Sequence, residues 1–188
     1  DEMLGTNIFL EFPSVGATEN LILAAVKAKG KTKIYGAAKE PEIVHLCNFL
    51  MKCGANIKGV GTSCLTIEGV INLNACEYKM PSDRIVAGTY LMCALATGGQ
   101  IFIKNAPIYE MDSVLRVLSK MGANIEVKEE GIYLKSNMPL IANKVTTGVY
   151  PGFPTDLQSI FGAILTISKG TSIIIENIFE NRFKYVDE

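Results

Sequence analysis

No Cys-x-x-Cys pair occurs in the chain, and the single histidine, His45, sits beside Cys47 on what reads as a helix. The usual zinc patterns, which need closely spaced sulfur and nitrogen ligands, are thereby excluded, and no metal is expected. The other cysteines, Cys53, Cys64, Cys76 and Cys93, bring the total to an odd five, which points to reduced thiols rather than a disulfide framework. Cys47 and Cys93 fall at apolar helix positions and read as small hydrophobes. An excess of either charge is also missing. Lys and Arg number 18 against 19 Asp and Glu, a formal net charge of −1, and no basic run interleaves with aromatics, so nucleic acid is not an expected partner.

Long apolar runs are absent too. A membrane helix needs roughly 20 apolar residues, and the best stretch, Tyr90 to Thr97, falls far short. The first residues, Asp1-Glu2, carry the wrong charge for the start of a signal peptide. The expectation is a soluble, cytoplasmic protein with no membrane partner. What is present is ordinary globular material: 188 residues, 48% hydrophobic and 20% charged, enough for a sizeable core in one or two small domains.

Organisation along the chain is repetitive. The segment from Phe49 to Ile57, with Gly54 inside it, returns as Val117 to Ile125 with Gly122 in the same place. Lys29-Gly30-Lys31-Thr32, Gly98-Gly99-Gln100-Ile101 and Lys169-Gly170-Thr171-Ser172 each separate a helical pattern from a β-rich run. Each unit reads as helix, strand, helix, strand, strand. The first has a helix over Ala17 to Lys29, a strand over Thr32 to Tyr35, and a helix over Pro41 to Cys53 with proline at its start and Gly54 past its end. Strands over Asn56 to Val60 and Cys64 to Glu68 follow, turning at Gly61-Thr62-Ser63.

The second unit runs from Ile85 to Leu134, its second helix carrying the core stripe Met111, Val114, Leu115, Leu118. The third starts at Leu157 and provides one helix and a strand over Ser172 to Glu176. A further helix there would bury about four large side chains at roughly 1.5–3 kcal/mol each. The expectation is therefore a piece of a longer protein, or a chain completed by a second copy as a homodimer.

Chemistry is concentrated in Tyr150-Pro151-Gly152-Phe153-Pro154-Thr155-Asp156-Leu157-Gln158 and, about twenty residues on, Phe179-Glu180-Asn181-Arg182-Phe183. Two prolines stiffen the approach and Gly152 permits a bend, delivering Asp156 where the stripe Leu157, Ile160, Phe161, Ile164, Leu165 begins. Read locally, Asp156 caps a helix and complements its dipole. Ser14 before Val15-Gly16-Ala17-Thr18 is either a plain N-cap or the edge of an anion-binding helix start. Glu40 and Glu42 flank Pro41 and read either as solvated acids at a helix start or, with Asp83-Arg84, as polar contacts between domains.

Together with Phe12-Pro13-Ser14-Val15-Gly16-Ala17-Thr18-Glu19-Asn20, Glu40-Pro41-Glu42-Ile43-Val44 and Asp83-Arg84-Ile85-Val86-Ala87-Gly88-Thr89, these segments run in the order of one family and cover essentially the whole chain. The chain resembles the UDP-N-acetylglucosamine 1-carboxyvinyltransferases, enolpyruvyl transferases that open peptidoglycan synthesis. The resemblance implies an α/β fold of repeated βαβαββ units, as in an inside-out α/β barrel. Residues 1–80 would be the last unit of one domain, and residues 81–188 the first and part of the second unit of the other.

It also implies transfer of the enolpyruvyl group of phosphoenolpyruvate to the 3′-hydroxyl of UDP-N-acetylglucosamine, with phosphate released and no metal or organic cofactor. Asp156 matches the family's proposed base. A carboxylate suits that task when closure dries the site around it, while a helix-start dipole acts the other way. Ser14, Val15 and Gly16 match the nucleotide diphosphate contact, and the backbone of Ile178 matches a contact to the amino sugar. Arg182 either reaches the phosphoenolpyruvate site or pairs with an acid such as Glu180 or Asp83.

Two departures stand out. Phe12 stands where some relatives have lysine, and Tyr150 where relatives often have histidine. The family's reactive cysteine or aspartate loop, with its lysine and arginines for phosphoenolpyruvate, is expected outside these residues, and none of the five cysteines occupies it. A non-catalytic module, degenerate or serving assembly, is the alternative reading; the sister enzyme making enolpyruvylshikimate phosphate shares the fold but not these motifs.

Overall fold

The computed structural model describes residues 2–187. The chain divides into two compact units, residues 1–80 and 81–188. In the first, the order is β1 (Asn7–Phe9), α1 (Val15–Ala25), β2 (Lys31–Tyr35), α2 (Pro41–Lys52), β3 (Asn56–Lys58) and β4 (Cys64–Glu68). The sheet order is β1-β2-β4-β3, with β1 parallel to β2 and the remaining pairs antiparallel. Its core joins Ile22 and Ala25 of α1, Ile43, Cys47 and Leu50 of α2, and the inward residues Ile34, Leu65 and Ile67 of the sheet. That alternation along each strand is what a sheet with one covered face requires.

The second unit has α3 (Arg84–Ala96), β5 (Gln100–Lys104), α4 (Asp112–Lys120), β6 (Asn124–Lys128), β7 (Gly131–Lys135), β8 (Lys144–Thr146), α5 (Gln158–Thr166) and β9 (Ile173–Ile175). Strands order as β5-β7-β6, all antiparallel, while β8 and β9 form a separate parallel pair. The core gathers Leu91 and Leu95 of α3, Leu118 of α4, Ile132 and Leu134 of β7, and Phe161 of α5. Each fully buried side chain of this size contributes about 1.5–3 kcal/mol by leaving water.

The repeat has an atomic basis. Gly54 and Gly122 end α2 and α4 with φ of 105° and 108°. The next amide closes the same helix-end bond in both, Ala55 N–H to Leu50 carbonyl at 2.9 Å and Ala123 N–H to Leu118 carbonyl at 3.1 Å. A left-handed residue is needed there, and glycine adopts it without a Cβ penalty. The β8-α5-β9 segment likewise repeats the parallel β1-α1-β2 start. Strands β1 and β8 thus put a strand in front of the helix with which the sequence reading began the first and third units.

Several boundaries move. The first helix begins at Val15, because Ser14 caps it, and stops at Ala25, after which bonds such as Ala28 N–H to the Ala25 carbonyl tighten the chain. Strand β3 ends at Lys58, because Gly59 turns with φ of 81°. Cys93 is exposed, contrary to the apolar reading. The buried stripe of α3 runs through Arg84, Ala87, Gly88, Leu91, Met92 and Leu95, which leaves position 93 facing out. Cys47 is buried, and burial pushes its thiol up to about 11. Glu40 is buried rather than solvated, whereas Glu42 is exposed. Among the described residues, no helix is long and apolar enough to cross a membrane.

Candidate functional site

Asp156 does not cap a helix. It lies in the 3₁₀ turn Thr155–Leu157 that precedes α5 and makes no capping bond with its side chain. Its carboxylate is exposed and pairs with Arg182, Nη2 to Oδ1 at 3.1 Å. The partner of Arg182 is therefore neither Glu180 nor Asp83; the Asp83 carboxylate is spent capping α3, accepting from Ile85 N–H at 2.7 Å and Val86 N–H at 3.1 Å. Asn181 adopts φ of 57°, a left-handed conformation that asparagine tolerates, and the turn it makes leads into Arg182. The guanidinium also donates to the Thr155 carbonyl at 3.4 Å and lies 5.1 Å from the Phe179 ring centroid.

The residue that organises this cluster is Glu176, just after β9, which the sequence reading passed over. Its Oε1 accepts from the amides of Ile178 (2.8 Å) and Phe179 (3.1 Å), and its Oε2 accepts from the Thr155 hydroxyl at 2.9 Å. Burial works to raise this carboxyl, but the bonds from those amides and from the Thr155 and Thr147 hydroxyls outweigh it and hold it below the ordinary range. Glu176 thus ties the turn carrying Asp156 to the loop carrying Ile178 and Arg182. The available signal was a lone acid closing the apolar run Ile173–Ile175, just before a loop whose amides need acceptors.

The Ile178 N–H is committed to Glu176, so its carbonyl is the backbone group left for another partner. Nearby, Tyr185 packs against α5, where a Cβ on Gly162 would come within 2.5 Å of its hydroxyl. Burial and then the Glu176 charge push the Tyr185 phenol upward. Tyr150 lies with the Arg84 guanidinium 5.7 Å from its ring centroid, a contact that gives this position a packing role.

In the first unit, Ser14 Oγ accepts from Ala17 N–H at 3.3 Å, so it is an N-cap. The Ser14 carbonyl accepts from the Thr18 hydroxyl at 2.7 Å, and the Thr18 oxygen in turn accepts from Ala38 N–H at 3.0 Å, which fixes the helix start to the loop after β2. A Cβ built on Gly16 would meet nothing within 4 Å, and Gly16 does not have positive φ. Neither packing nor backbone geometry within the unit asks for glycine there. Val15 is half-buried, and Phe12 is exposed two residues before the cap Ser14. The structure therefore brings Asp156, Ile178 and Arg182 into one cluster and sets Ser14, Val15 and Gly16 at one helix start. Among the described residues, no group of three or more His, Cys, Asp or Glu could hold a metal ion.

A family model described as EPSP synthase (3-phosphoshikimate 1-carboxyvinyltransferase) matches residues 1–188. The chain is 47% identical to a UDP-N-acetylglucosamine 1-carboxyvinyltransferase of Lawsonia intracellularis, an alignment taking in 100% of this chain and 45% of that protein. It is 48% identical to UDP-N-acetylglucosamine 1-carboxyvinyltransferase 1 of Caldanaerobacter subterraneus subsp. tengcongensis, with the same coverage. The chain thus spans about half the length of the curated relatives it matches. Among solved structures, the enolpyruvyl transferase NikO from Streptomyces tendae superposes with a TM-score of 0.88 at 17% identity, covering 100% of this chain and 47% of that one. An EPSP synthase from Acinetobacter baumannii gives a TM-score of 0.61 at 20% identity, over 92% of this chain and 40% of that one. These two likenesses concern the mixed α/β fold. Matched along its whole length by the family model, the chain belongs to the EPSP synthase family, the enolpyruvyl transferases.

Proposed function

We propose that the chain is part of a UDP-N-acetylglucosamine 1-carboxyvinyltransferase, supplying nucleotide-sugar contacts and the proton-accepting carboxylate for enolpyruvyl transfer in peptidoglycan precursor synthesis. The observation that carries the proposal is the Asp156 cluster. The carboxylate is not used up in capping; it is exposed, held by Arg182, and braced through Thr155 by Glu176. Relatives that are 46–48% identical bear that enzyme name and favour the nucleotide-sugar branch over the shikimate one.

In this reading Asp156 accepts the proton of the sugar 3′-hydroxyl as the oxygen attacks the enolpyruvyl carbon, and phosphate leaves. Arg182 orients the carboxylate and adds positive charge beside the phosphoenolpyruvate anions. The free carbonyl of Ile178 accepts from the acetamido N–H of the sugar. Val15 and Gly16 present first-turn amides of α1 to the diphosphate, with Gly16 clearing the approach and Ser14 fixing the helix start. Residues 1–80 close one domain of the enzyme and residues 81–188 open the other, with the remainder of the enzyme as partner. The chain spans 45% of its relatives, so we expect it to hold part of the nucleotide sugar without turning over.

Calorimetric titration of UDP-N-acetylglucosamine into the chain tests this, with Asp156→Asn and Gly16→Ala beside the wild type. Saturable binding weakened at least severalfold by either change is expected, with no phosphate released from added phosphoenolpyruvate. A folded wild-type chain giving no binding heat would overturn the assignment of these contacts, and phosphate release by the chain alone would overturn the division of labour.

A further inference from the structure

Cys53 and Cys76 lie with their sulfurs 3.1 Å apart, though their sequence positions suggested no relation. Cys53 follows α2 directly, its N–H donating to the Phe49 carbonyl at 3.0 Å. Cys76 belongs to the segment after β4 that leads toward the second unit and has no regular structure. Contacts on either side of it seat this segment on α2. Asn74 N–H donates to the Cys53 carbonyl at 2.8 Å. Two residues beyond Cys76, the Tyr78 ring meets Phe49 edge-on at 5.6 Å, and its hydroxyl donates to the His45 carbonyl at 3.3 Å. The sulfur of Cys76 is therefore carried to Cys53 by backbone and aromatic anchors, not by a wandering loop.

We propose that Cys53 and Cys76 form a reversible disulfide when the protein meets a peroxide, and that this bond pins the connecting segment to α2. Closure shortens the sulfur separation by about 1 Å, to the ~2.05 Å of a disulfide. Cys76 is half-buried and Cys53 buried, so the oxidant reaches Cys76 first. The Cys76 thiolate attacks one peroxide oxygen, the O–O bond breaks and hydroxide leaves, giving a sulfenic acid. Cys53 sulfur then attacks the Cys76 sulfur, the S–O bond breaks, and the oxygen departs as water with the Cys53 proton. In sum, two thiols lose two electrons and one peroxide becomes two waters. The hydrogen bond to Cys76, and then burial, raise the Cys53 thiol, which agrees with Cys76 being the sulfur that meets the oxidant. This inference stands apart from the nucleotide-sugar reading, since none of its residues belongs to that site.

The test treats the folded chain with hydrogen peroxide, blocks remaining thiols with iodoacetamide, and maps peptides without reductant. Trypsin leaves Cys64 and Cys76 on one peptide, so cleavage after Glu68 by a glutamate-specific protease is added to separate them. The expected product is a Cys53–Cys76 linked pair two hydrogens lighter than its parts, reversed by dithiothreitol and absent from Cys76→Ser. Exchange of the Asn74 amide, whose bond to Cys53 the link would hold closed, should slow about tenfold in the oxidised form. A Cys93→Ser chain gives the same linked pair, because exposed Cys93 plays no part. Oxidation of wild type that runs to sulfinic acid on Cys76, or that yields only Cys93-linked dimers, would overturn the proposal without recourse to any variant's folding.

Discussion

Glu176 should be worth more to the second unit than a half-buried surface acid ordinarily is. Its carboxylate takes two backbone amides on one oxygen and the Thr155 hydroxyl on the other, with Thr147 adding a further bond. Bonds to an ionised acceptor are roughly twice as strong as neutral ones. Glu176→Gln keeps an oxygen for the amides and lets its NH₂ meet Thr155, so it should cost about 1 kcal/mol. Glu176→Ala leaves both amides without an acceptor and should cost about 2–3 kcal/mol. The folded carboxyl titrates below its ordinary value, so its stabilisation is fully present above the unfolded value of about 4.3 and is lost as pH falls through the lower folded value. Urea unfolding of wild type and Glu176→Gln followed by circular dichroism from pH 7 downward should therefore show a gap that closes in acid. Amide exchange at Ile178 and Phe179 should speed up in both variants at pH 7. A gap that stays constant with pH, or exchange at these two amides that does not change, would refute the role given to Glu176.

Gly16→Ala should leave stability unchanged or slightly raised, because the added methyl meets nothing within 4 Å and alanine favours helix, as thermal unfolding would report. Ser14→Ala removes the cap on α1 and should cost about 0.5–2 kcal/mol in denaturant unfolding. At pH 8 iodoacetamide should label exposed Cys93 at once but reach Cys47 only in denaturant, since burial shields that thiol and pushes it up to about 11. In an alkaline absorbance titration, Glu176→Gln should move the Tyr185 phenol back down, yet leave it above its ordinary value, because burial is the first cause of the shift.

What the sequence made legible is local in origin. Helix α2 carried proline at its start and glycine past its end and sits within a residue of its expected place, and the glycine returns past the end of α4, whose apolar stripe was also legible. Strands β1 and β8 were not legible, because three residues hold too little alternation to register; both exist through parallel pairing with β2 and β9 beyond an intervening helix. Cys93 was misread because apolar neighbours surround it in sequence while the helical period of α3 turns it outward.

The candidate site divides along the same line. Asp156 could be singled out from its motif, but a first-turn acid and a reacting acid look alike until its partners are known, and the deciding partner, Arg182, comes from another loop. Glu176 was invisible for a related reason: its importance rests on amides two and three residues ahead and on a hydroxyl supplied from the turn before α5. Both cases follow from how buried polar groups are satisfied. A carboxylate takes up whichever donors the fold brings near, and it is the fold, rather than the adjacent residues, that chooses them. The two acids consequently answer to different perturbations. Removing Glu176 should loosen the frame that carries Ile178 and Arg182, whereas neutralising Asp156 should leave that frame standing and subtract only a surface ion pair worth at most about 1 kcal/mol. A binding defect in Asp156→Asn with unchanged amide exchange at Ile178 would therefore place the loss at the carboxylate itself, and the same defect accompanied by faster exchange there would move it to the frame.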